Sequence, residues 1–320
     1  MDTETPVVSV IMLTHNQERY VRQAVESVLM QETDFKYELI ICDDASTDGT
    51  KEIVEEYAEA YPRIIRLHIN EENIGASQNA FRALMASAGR YLGFCEGDDY
   101  WIRKDKLQRQ VLFLEEHPEY IGCAGRSLLV SETGSPLRRQ RLSWVKRKRT
   151  FTYRDFSGGK YLPGQTASIL KRNLFLNSDE DWSILTFHPQ ISDRFATLVY
   201  LLRGNFSCLP ETFSAYRCIS AYGKTNLTSV LYKDNRDRCR DELEMTEALE
   251  GYASAFLGKP QRYSRKRADI MLDALISVFR FRDMNSKDNA GSVLRSQTTR
   301  EFLWLPVSAI EKIRNKLFYK

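Results

Sequence analysis

Three groups of polar and acidic residues stand directly behind apolar runs in the first hundred residues of this 320-residue chain. Carboxylates repel a diphosphate unless a hard cation lies between them, and Mg²⁺ or Mn²⁺ binds through one or two carboxylates together with substrate phosphates. A metal held in this way would also stabilise a diphosphate leaving group. An acidic site that handles a nucleoside diphosphate therefore implies a divalent metal. In chain order the groups are Thr14, His15, Asn16 and Glu18; Asp43 and Asp44; and Glu96, Asp98 and Asp99.

The chain around these groups alternates between strand-like and helix-like patterns. Four apolar runs predict strands, and helix-spaced apolar residues lie between them. The runs are Val7–Leu13, "YELIICDD", Arg63–Ile69 and "YLGFC". This alternation predicts an α/β fold with a mostly parallel sheet and helices on both faces. Parallel strands end at one edge of the sheet, where ligands of such folds bind, so the polar groups should converge there.

Other protein classes are disfavoured by what the sequence lacks. No GxGxxG follows the first predicted strand, which disfavours a dehydrogenase-type dinucleotide fold, and no GxxxxGK[ST] occurs, which excludes a P-loop. The net charge of +3 comes with no recognised nucleic-acid reader motif, so we expect no nucleic-acid partner. The six cysteines show no CxxC pair, "MDTETP" is no signal peptide, and no apolar run reaches about 20 residues. We therefore expect a cytoplasmic protein without a membrane span.

Four longer motifs follow one another along the N-terminal third: "VSVIMLTHNQERYVRQAVESVLMQ", "ELIICDDASTDGT", "NIGASQNAFRAL" and "EGDDYW". Together they resemble the N-terminal half of glycosyltransferase family 2, which has the GT-A fold. The resemblance is strong over Val7–Gly125 and looser to about Gly223. It implies a Rossmann-like sheet and the inverting transfer of a sugar from a nucleotide-sugar.

The resemblance also assigns donor-binding residues to the strand ends. Within this set His15 would stack on the base, and Asp44 would accept a hydrogen bond from a uracil ring. Taken alone, His15 would more often be a structural histidine, and Glu18 is typical of a helix start that its charge stabilises. The full set is Thr14, His15, Asn16, Glu18, Asp44, Asn79 and Asp98.

For the metal, the resemblance implies Asp98 and Asp99, with Asp99 favoured as the ligand. Glu96 stands where the family usually has the first acid of an Asp-x-Asp pattern, which leaves its role open. A histidine that many relatives carry shortly after a Tyr-Arg pair is replaced by Ile219, so the site either lacks that ligand or uses His188 instead. Without the other motifs, the two aspartates would be interpreted as a turn or helix cap.

The general base should come later in the chain, ahead of a helix. "HPQISDRFATLVYLLRGN" matches that family pattern and places Asp193 at the position of the base. Asp193 would take a proton from the acceptor hydroxyl, which then attacks the anomeric carbon. Alternatively Asp193 is only a helix cap, with Asp179 or Asp181 as the base. The segment Leu162–Leu170 matches one that borders the acceptor pocket in relatives.

The charge pattern suggests how the chain is divided. We predict a catalytic domain over residues 1–225, with its nucleotide-sugar half over 1–125 and its acceptor half over 126–225. A helical region over residues 226–320 would follow.

The segment Arg138–Arg149 contains seven Lys and Arg residues. It is either a solvated surface or a contact for a phosphate-bearing acceptor or an anionic lipid surface.

The last residues, "REFLWLPVSAIEKIRNKLFYK", are basic and amphipathic. They could lie on a membrane surface, or form a helix packed on the catalytic domain or on a second copy in a homodimer. The sequence favours these alternatives equally.

The function predicted from these patterns is a metal-dependent transfer from a UDP-sugar or another nucleotide-sugar. The expected acceptor is a glycan, most consistently a lipid-linked one, in cell-surface polysaccharide synthesis. The alternative is a non-catalytic nucleotide-sugar-binding or scaffold subunit of a glycan assembly complex. The presence of all four key acids, Asp44, Asp98, Asp99 and Asp193, favours the enzyme. A nucleotidyltransferase is disfavoured because no Gly-rich loop bearing Arg or Lys follows the first strand.

Overall fold

The computed structural model divides the chain into two compact units. The sheet unit comprises Met1–Thr152 and Leu162–Asn226, and the helical unit comprises Tyr153–Tyr161 and Leu227–Lys320. The predicted boundary near residue 225 and residues 139–149 of the basic segment lie outside the described residues. Those described are 5–138, 150–160, 162–189, 193–219, 235–281, 291, 293–295, 297 and 299–318.

Strands and helices alternate through the sheet unit, and helices make up the rest of the described chain. The strands are β1 (Val8–Thr14), β2 (Tyr37–Asp43), β3 (Ile65–Ile69), β4 (Tyr91–Phe94), β5 (Tyr100–Trp101), β6 (Tyr120–Val130), β7 (Thr150–Phe151), β8 (Ile169–Arg172) and β9 (Asn205–Arg217). The helices are α1 (Val21–Leu29), α2 (Thr50–Ala60), α3 (Ala76–Ala86), α4 (Lys106–Glu116), α5 (Tyr153–Ser157), α6 (Asp193–Leu201), α7 (Asn235–Leu257), α8 (Ser264–Phe281) and α9 (Thr299–Phe318).

The first four strands form the predicted parallel sheet, in the order β3-β2-β1-β4. Six of the seven residues of β1, and likewise of β2, are buried, because helices pack against this sheet. Thr14 pairs with Asp43 in the β1–β2 register. The ends of these two strands therefore lie at one edge of the sheet, as predicted.

Beyond β4 the sheet becomes mixed. Strand β8 runs antiparallel between β4 and β6, and β9 runs parallel to β6. The sequence did not predict β9, whose 13 residues include Pro210. The register with β6 shifts between Ala124 and Arg126, where β9 advances from Cys208 to Thr212 past that proline. Such an irregularity accommodates a proline, which has no backbone N–H to donate a hydrogen bond to the neighbouring strand.

Lys106, the first residue of α4, lies in the core of the sheet unit with 0% of its surface exposed. Its ammonium nitrogen lies 4.1 Å from the centre of the Trp101 ring and has no hydrogen-bond partner among the described residues. Burial lowers the pKa of Lys106 from 10.5 to about 7. The unfolded chain therefore binds this proton more tightly than the folded chain, and the resulting cost in stability is complete below about pH 7.

We expect Lys106→Met to stabilise the protein, because methionine fills a similar space without a charge to desolvate. The gain in the free energy of unfolding should be on the order of 1–3 kcal/mol at pH 7, after the loss of the cation–π contact. It should shrink at pH 9.5, since the cost of the buried charge declines as the pH approaches the unfolded-state pKa. Urea denaturation at both pH values measures this. The exposed Lys104→Met is the matched control, and an equal or negative effect of Lys106→Met at both pH values would contradict the prediction.

The helical unit has a core of its own. Phe156 of α5 packs edge to face on Tyr263, with ring centres 5.9 Å apart. Arg267 is buried and donates from Nη2 to Oε2 of Glu250 at 2.6 Å, so its charge is paired. None of the described helices is long and apolar enough to cross a membrane. The apolar core of the unit consists of Cys239, Leu243, Ile270, Met271, Ala274 and Val293.

Candidate active site

The acids that follow β4 form a tight turn, residues 96–99, which we call the acid loop. The amide of Gly97 donates to the carbonyl oxygen of Leu13 at the end of β1, at 3.2 Å. A Cβ atom at Gly97 would lie 2.9 Å from Cγ2 of Thr14, so the absence of a side chain lets the loop approach this strand. The acid loop is thereby brought to the same edge of the sheet as the polar residues behind β1.

Burial raises the carboxyl pKa of each acid in the acid loop and is the largest cause for all three. The pKa of Glu96 rises to about 8, with further contributions from the charges of Asp98 and Asp193. The pKa of Asp98 rises to about 6. Asp99 has a pKa well above its usual range because Asp98 and Glu96 add to the effect of burial. Three crowded carboxyl groups of this kind favour a bound proton or a bound cation.

Arg217, the last residue of β9, holds the acid loop in place and is 4% exposed. Its amide donates to Oδ1 of Asp99 at 2.9 Å, and its Nε donates to the carbonyl oxygen of Asp98 at 2.9 Å. Its two terminal nitrogens donate to the carbonyl oxygen of Glu132 at 2.6 Å and to Oε1 of Gln23 at 2.7 Å. The guanidinium carbon also lies over two rings, 4.6 Å from the centre of Tyr20 and 5.4 Å from that of Tyr100.

In the sequence, Arg217 stands out only as part of a Tyr-Arg pair, and that pattern predicts no role for it. Its contact with Asp99 spans 118 residues of sequence, and no local pattern encodes such a distance. The arginine fixes the backbone of the acid loop, so it is a positioning residue for both aspartates.

The arrangement around Asp99 fits a divalent cation. Its second oxygen, Oδ2, is buried and accepts no hydrogen bond of good geometry from the described residues. The Gln165 side chain favours the charged form of Asp99 only as the smallest of several influences. No group of three or more His, Cys, Asp or Glu side chains in the described ranges is arranged to hold a metal by itself. Diphosphate and water would therefore supply the remaining ligands, as is usual for Mg²⁺.

His15 presents an exposed imidazole at the same edge of the sheet. Its Nδ1 lies 2.8 Å from the carbonyl oxygen of Asp44, which can only accept, so Nδ1 carries the proton. Asn16 has a left-handed backbone with φ 52°, and its Oδ1 accepts from the amide of Thr47 at 2.7 Å. The ring edge is thus anchored, and Nδ2 of Asn73 lies 3.3 Å from each of the two ring nitrogens.

Asp44 is buried and its carboxylate already has internal donors. Oδ1 accepts from Nδ2 of Asn70 at 2.9 Å and from the amide of Ile74 at 2.8 Å, and Oδ2 accepts from the amide of Gly75 at 2.9 Å. Asn79, which is 1% exposed, accepts from the same Asn70 side chain at 3.1 Å. Asp44 therefore organises the loop ahead of α3, and a base would have to use a remaining lone pair of its carboxylate.

Thr14 and Glu18 also have partners within the protein. The hydroxyl of Thr14 donates to Oδ2 of Asp43 at 2.8 Å and ties β1 to β2. Oε2 of Glu18 accepts from the amide of Gly49, the N-cap residue of α2, at 3.2 Å. This contact places the carboxylate at the N-terminus of α2, where a negative charge is favourable.

Asp193, the first residue of α6, lines a mostly apolar pocket of about 750 Å³, counting the space open to solvent. Glu96 of the acid loop lines the same pocket, and the alternative bases Asp179 and Asp181 do not. Leu162 and other residues of the segment predicted to border the acceptor site also contribute to the lining. The remaining wall comes chiefly from α3 and α6, through Ser77, Ala80, Phe81, Leu84, Ala196, Thr197 and Tyr200.

Lys171 of β8 brings a positive charge into this pocket that the sequence patterns did not predict. The residue is 8% exposed, and its nitrogen lies 4.8 Å from the ring centre of Phe94 and 4.5 Å from that of Tyr200. Burial lowers the pKa of Lys171 to about 7, while the charge of Asp193 acts in the opposite direction. In the sequence, Lys171 is marked only by its position directly after the strand-like residues "SIL".

The sequence matches the profile described as "Glycosyl transferase family 2" over residues 9–176, more than half of the chain. This chain belongs to glycosyl transferase family 2. The family predicted from the four motifs is therefore confirmed, and in this family member Glu96 of the acid loop and Asp193 line one pocket. Residue 193 itself lies beyond the matched range.

Two relatives show how far the similarity of this glycosyltransferase extends. It is 34% identical over 210 residues to the uncharacterized protein Rv1520 of Mycobacterium tuberculosis, covering 65% of this chain. The chain spans 58% of the length of that relative. It is also 37% identical over 219 residues to the Bacillus subtilis protein named "Putative teichuronic acid biosynthesis glycosyltransferase TuaG", covering 67% of this chain and 80% of TuaG.

The glycosyltransferase also resembles a solved structure. The crystal structure of S. aureus TarS 1–349 in complex with UDP-GlcNAc superposes with a TM-score of 0.55 at 18% sequence identity. The match covers 90% of each chain. At this identity the likeness concerns the fold, and it confirms the GT-A type of sheet with flanking helices and a helical C-terminal extension.

Proposed function

We propose that this protein is an inverting, metal-dependent glycosyltransferase that moves a sugar from a UDP-sugar to a hydroxyl group of a glycan acceptor. The observation that carries the proposal is the shared pocket of Glu96 and Asp193. Glu96 belongs to the acid loop suited to a metal-bound diphosphate, and Asp193 is a carboxylate suited to deprotonate an acceptor. The UDP-GlcNAc bound by S. aureus TarS supports a UDP-sugar as the donor.

Asp98 and Asp99 would hold the divalent cation, Mn²⁺ or Mg²⁺, and the unpartnered Oδ2 of Asp99 is the best-suited ligand atom among the described residues. When bound, the cation neutralises the diphosphate and stabilises it as a leaving group. Arg217 keeps both aspartates in place through the backbone of the acid loop. Glu96 lies within the same cluster of charge and adds to its affinity for a cation.

The other residues of the site bind and orient the two substrates. His15 offers its ring face to the base, while Asn16 and Asp44 fix the loops on either side. Asp193 takes the proton from the acceptor hydroxyl as that oxygen attacks the anomeric carbon. Lys171 lines the same pocket as Asp193 and would lie beside the reacting groups. One base and one stabilised leaving group suffice for a single displacement with inversion.

We propose a lipid-linked glycan as the acceptor, used at the cytoplasmic face of a membrane in cell-surface polysaccharide synthesis. The name of the relative TuaG supports a role in polysaccharide synthesis. None of the six cysteines, all of which lie in the described part of the chain, forms a disulfide, which suits a reducing compartment. The seven basic residues of Arg138–Arg149 would be attracted to an anionic lipid surface or to the diphosphate of such an acceptor.

A donor screen tests this function. Purified protein is incubated with a panel of nucleotide-sugars and Mn²⁺, and the released nucleoside diphosphate is measured. We expect release from a UDP-sugar that EDTA abolishes and that a glycan acceptor accelerates. Nucleotide binding without release from any donor would instead indicate the non-catalytic scaffold subunit.

The raised pKa of Glu96 predicts how the stability of the metal-free protein depends on pH. The folded state binds this proton more tightly than the unfolded state between pH 4.5 and about 8. The stabilisation is therefore complete below pH 4.5 and is lost as the pH rises through about 8. Between pH 5.5 and 8 the free energy of unfolding of the wild type should fall by on the order of 1–3 kcal/mol more than that of Glu96→Gln.

Urea denaturation in EDTA at the two pH values measures this difference. Glu119→Gln is the control, because Glu119 is exposed and its pKa is lowered rather than raised. If Glu96→Gln loses as much stability as the wild type over this range, Glu96 does not bind a proton preferentially in the folded state.

A further inference from the structure

The helix α9 of the helical unit has its polar side inside and its apolar side outside. Glu301 is 0% exposed and Ser308 is 1% exposed. Five large apolar side chains of the same helix are exposed. They are Phe302 (50%), Leu303 (74%), Trp304 (39%), Val307 (37%) and Ile310 (64%). We call these five residues the apolar face of α9.

Helix geometry places the five residues on one side of α9. Successive helical residues are about 100° apart, so the apolar face spans an arc of about 200°. Glu301, Leu305 and Ser308 fall in the opposite arc. A soluble helix normally turns its apolar stripe toward the core, so α9 has the reverse arrangement. A contiguous exposed apolar surface of this kind marks an interaction site.

The inner side of α9 is complete without the apolar face. The carboxylate of Glu301 accepts from Nε of Arg262 at 2.8 Å, which pairs the buried charge. Leu305 packs on the core of the helical unit, which includes Ile270 and Met271. The helix is therefore anchored by its polar and mixed side, and none of the five residues of the apolar face belongs to that apolar core.

Positive charge lies beside the apolar face at Arg265 and follows the face in the sequence. The guanidinium carbon of Arg265 lies 5.7 Å from the centre of the Trp304 ring. Four basic residues, Lys312, Arg314, Lys316 and Lys320, and one acid, Glu311, follow in the sequence. Apolar residues that include tryptophan, bordered by Lys and Arg, are typical of helices that lie in the interface of an anionic membrane. A second copy of this chain would bring the same positive charge and would be repelled.

We propose that the apolar face of α9 inserts into the surface of an anionic lipid bilayer and attaches the glycosyltransferase to the membrane. The apolar side chains enter the region between headgroups and acyl chains, and the flanking Lys and Arg residues contact the anionic headgroups. This would place the protein on the surface where a lipid-linked acceptor is found. The attachment does not require Asp193 or the acid loop, so it can fail or hold independently of the proposed reaction.

The test is co-sedimentation of the full chain with vesicles of phosphatidylcholine containing 30% phosphatidylglycerol. We expect the wild type to bind, and Leu303→Ser combined with Ile310→Ser to weaken binding by at least tenfold, since these are the two most exposed residues of the face. Leu112→Ser is the matched control, because Leu112 is a 52% exposed leucine of α4 in the sheet unit. It should bind like the wild type. Vesicles of phosphatidylcholine alone, or 0.5 M KCl, should reduce binding because charge attraction is lost or screened.

Two further measurements distinguish membrane insertion from misfolding of the variant and from self-association. Circular dichroism and UDP binding of the double variant should match the wild type, which shows that neither the fold nor the nucleotide site is altered. Brominated lipids should quench the fluorescence of the wild type, and this quenching should be lost in Trp304→Phe while vesicle binding remains. Absence of vesicle binding by the wild type, or unchanged binding by the double variant, would overturn the proposal. A dimer that the double variant disrupts, together with no vesicle binding, would show that a second copy covers the face.

Discussion

Asp193→Asn is expected to lower the rate of sugar transfer by about 10²–10⁴-fold, the range that a positioned general base contributes. Asparagine keeps the size of the side chain and can still accept from the amide of Arg194, which Oδ1 of Asp193 does at 2.7 Å. It cannot take a proton from the acceptor. The affinity for UDP should stay within about twofold, since the residue acts on the acceptor side. Steady-state kinetics with the donor found by the screen, and calorimetry with UDP, give both values.

Asp181→Asn provides the matched control for this prediction. Asp181 lies in the preceding segment, is exposed, and accepts from the amide of Ser183 at 2.8 Å. The Asp181→Asn substitution removes the same charge at a position outside the pocket. This variant should therefore transfer sugar at nearly the wild-type rate. If instead Asp193→Asn turns over normally and Asp181→Asn does not, the base is Asp181 and α6 has only a structural role at its first residue.

Arg217→Met should reduce the metal-dependent part of UDP binding by more than tenfold and should also cost stability. Its side chain makes three hydrogen bonds that methionine cannot make, to Asp98, Glu132 and Gln23. Losing donors to buried acceptors costs on the order of 2–4 kcal/mol in the free energy of unfolding. Arg217→Lys keeps the charge but loses the planar guanidinium with its several donors. Compared with Arg217→Met, it should recover part of the stability and little of the metal-dependent UDP binding.

Arg172→Met separates positioning from general stability. Arg172 also donates to backbone carbonyls of the sheet unit, those of Tyr120 at 3.0 Å and Leu114 at 2.7 Å. It also contacts Tyr91, at the start of β4, the end opposite the acid loop. We expect a similar loss of stability in Arg172→Met with an unchanged effect of Mn²⁺ on UDP affinity. If Arg217→Met and Arg172→Met lose the effect of Mn²⁺ on UDP affinity equally, Arg217 influences metal binding only through its contribution to stability.

The sequence could predict the elements whose patterns are local. The run Val7–Leu13 is apolar except for Ser9 because β1 is covered on both faces, and its prediction differs from the observed strand by one residue at each end. Strand β9 was missed because Pro210 and several polar residues interrupt its pattern, and its pairing is set by β6, more than 80 residues earlier. A strand whose position depends on such a distant partner leaves little trace in a single sequence.

The same limit applies to the site. The convergence of the acids behind β1, β2 and β4 follows from the parallel topology, and strand ends can be found in a sequence. The contacts that individual side-chain atoms make cannot be found in a sequence. Thr14 and Glu18 occupy family positions near the donor, yet each has an internal partner in the structure. Arg217 and Lys171 reach the site from strands β9 and β8, which come late in the chain, so only the folded sheet reveals their place.

The central claim is that the acid loop binds a nucleoside diphosphate through a divalent metal, and calorimetry with UDP tests it most directly. Asp99→Asn is the sharpest variant, because asparagine can still accept the amide of Arg217 while the unpartnered oxygen Oδ2 is replaced. Asp105→Asn removes the same charge from a carboxylate that is paired with Arg103 and Arg109 on the surface. We expect Mn²⁺ to tighten UDP binding at least tenfold in the wild type and in Asp105→Asn, and to have no effect in Asp99→Asn. UDP affinity that is independent of Mn²⁺ in the wild type, or an undiminished effect in Asp99→Asn, would contradict the account.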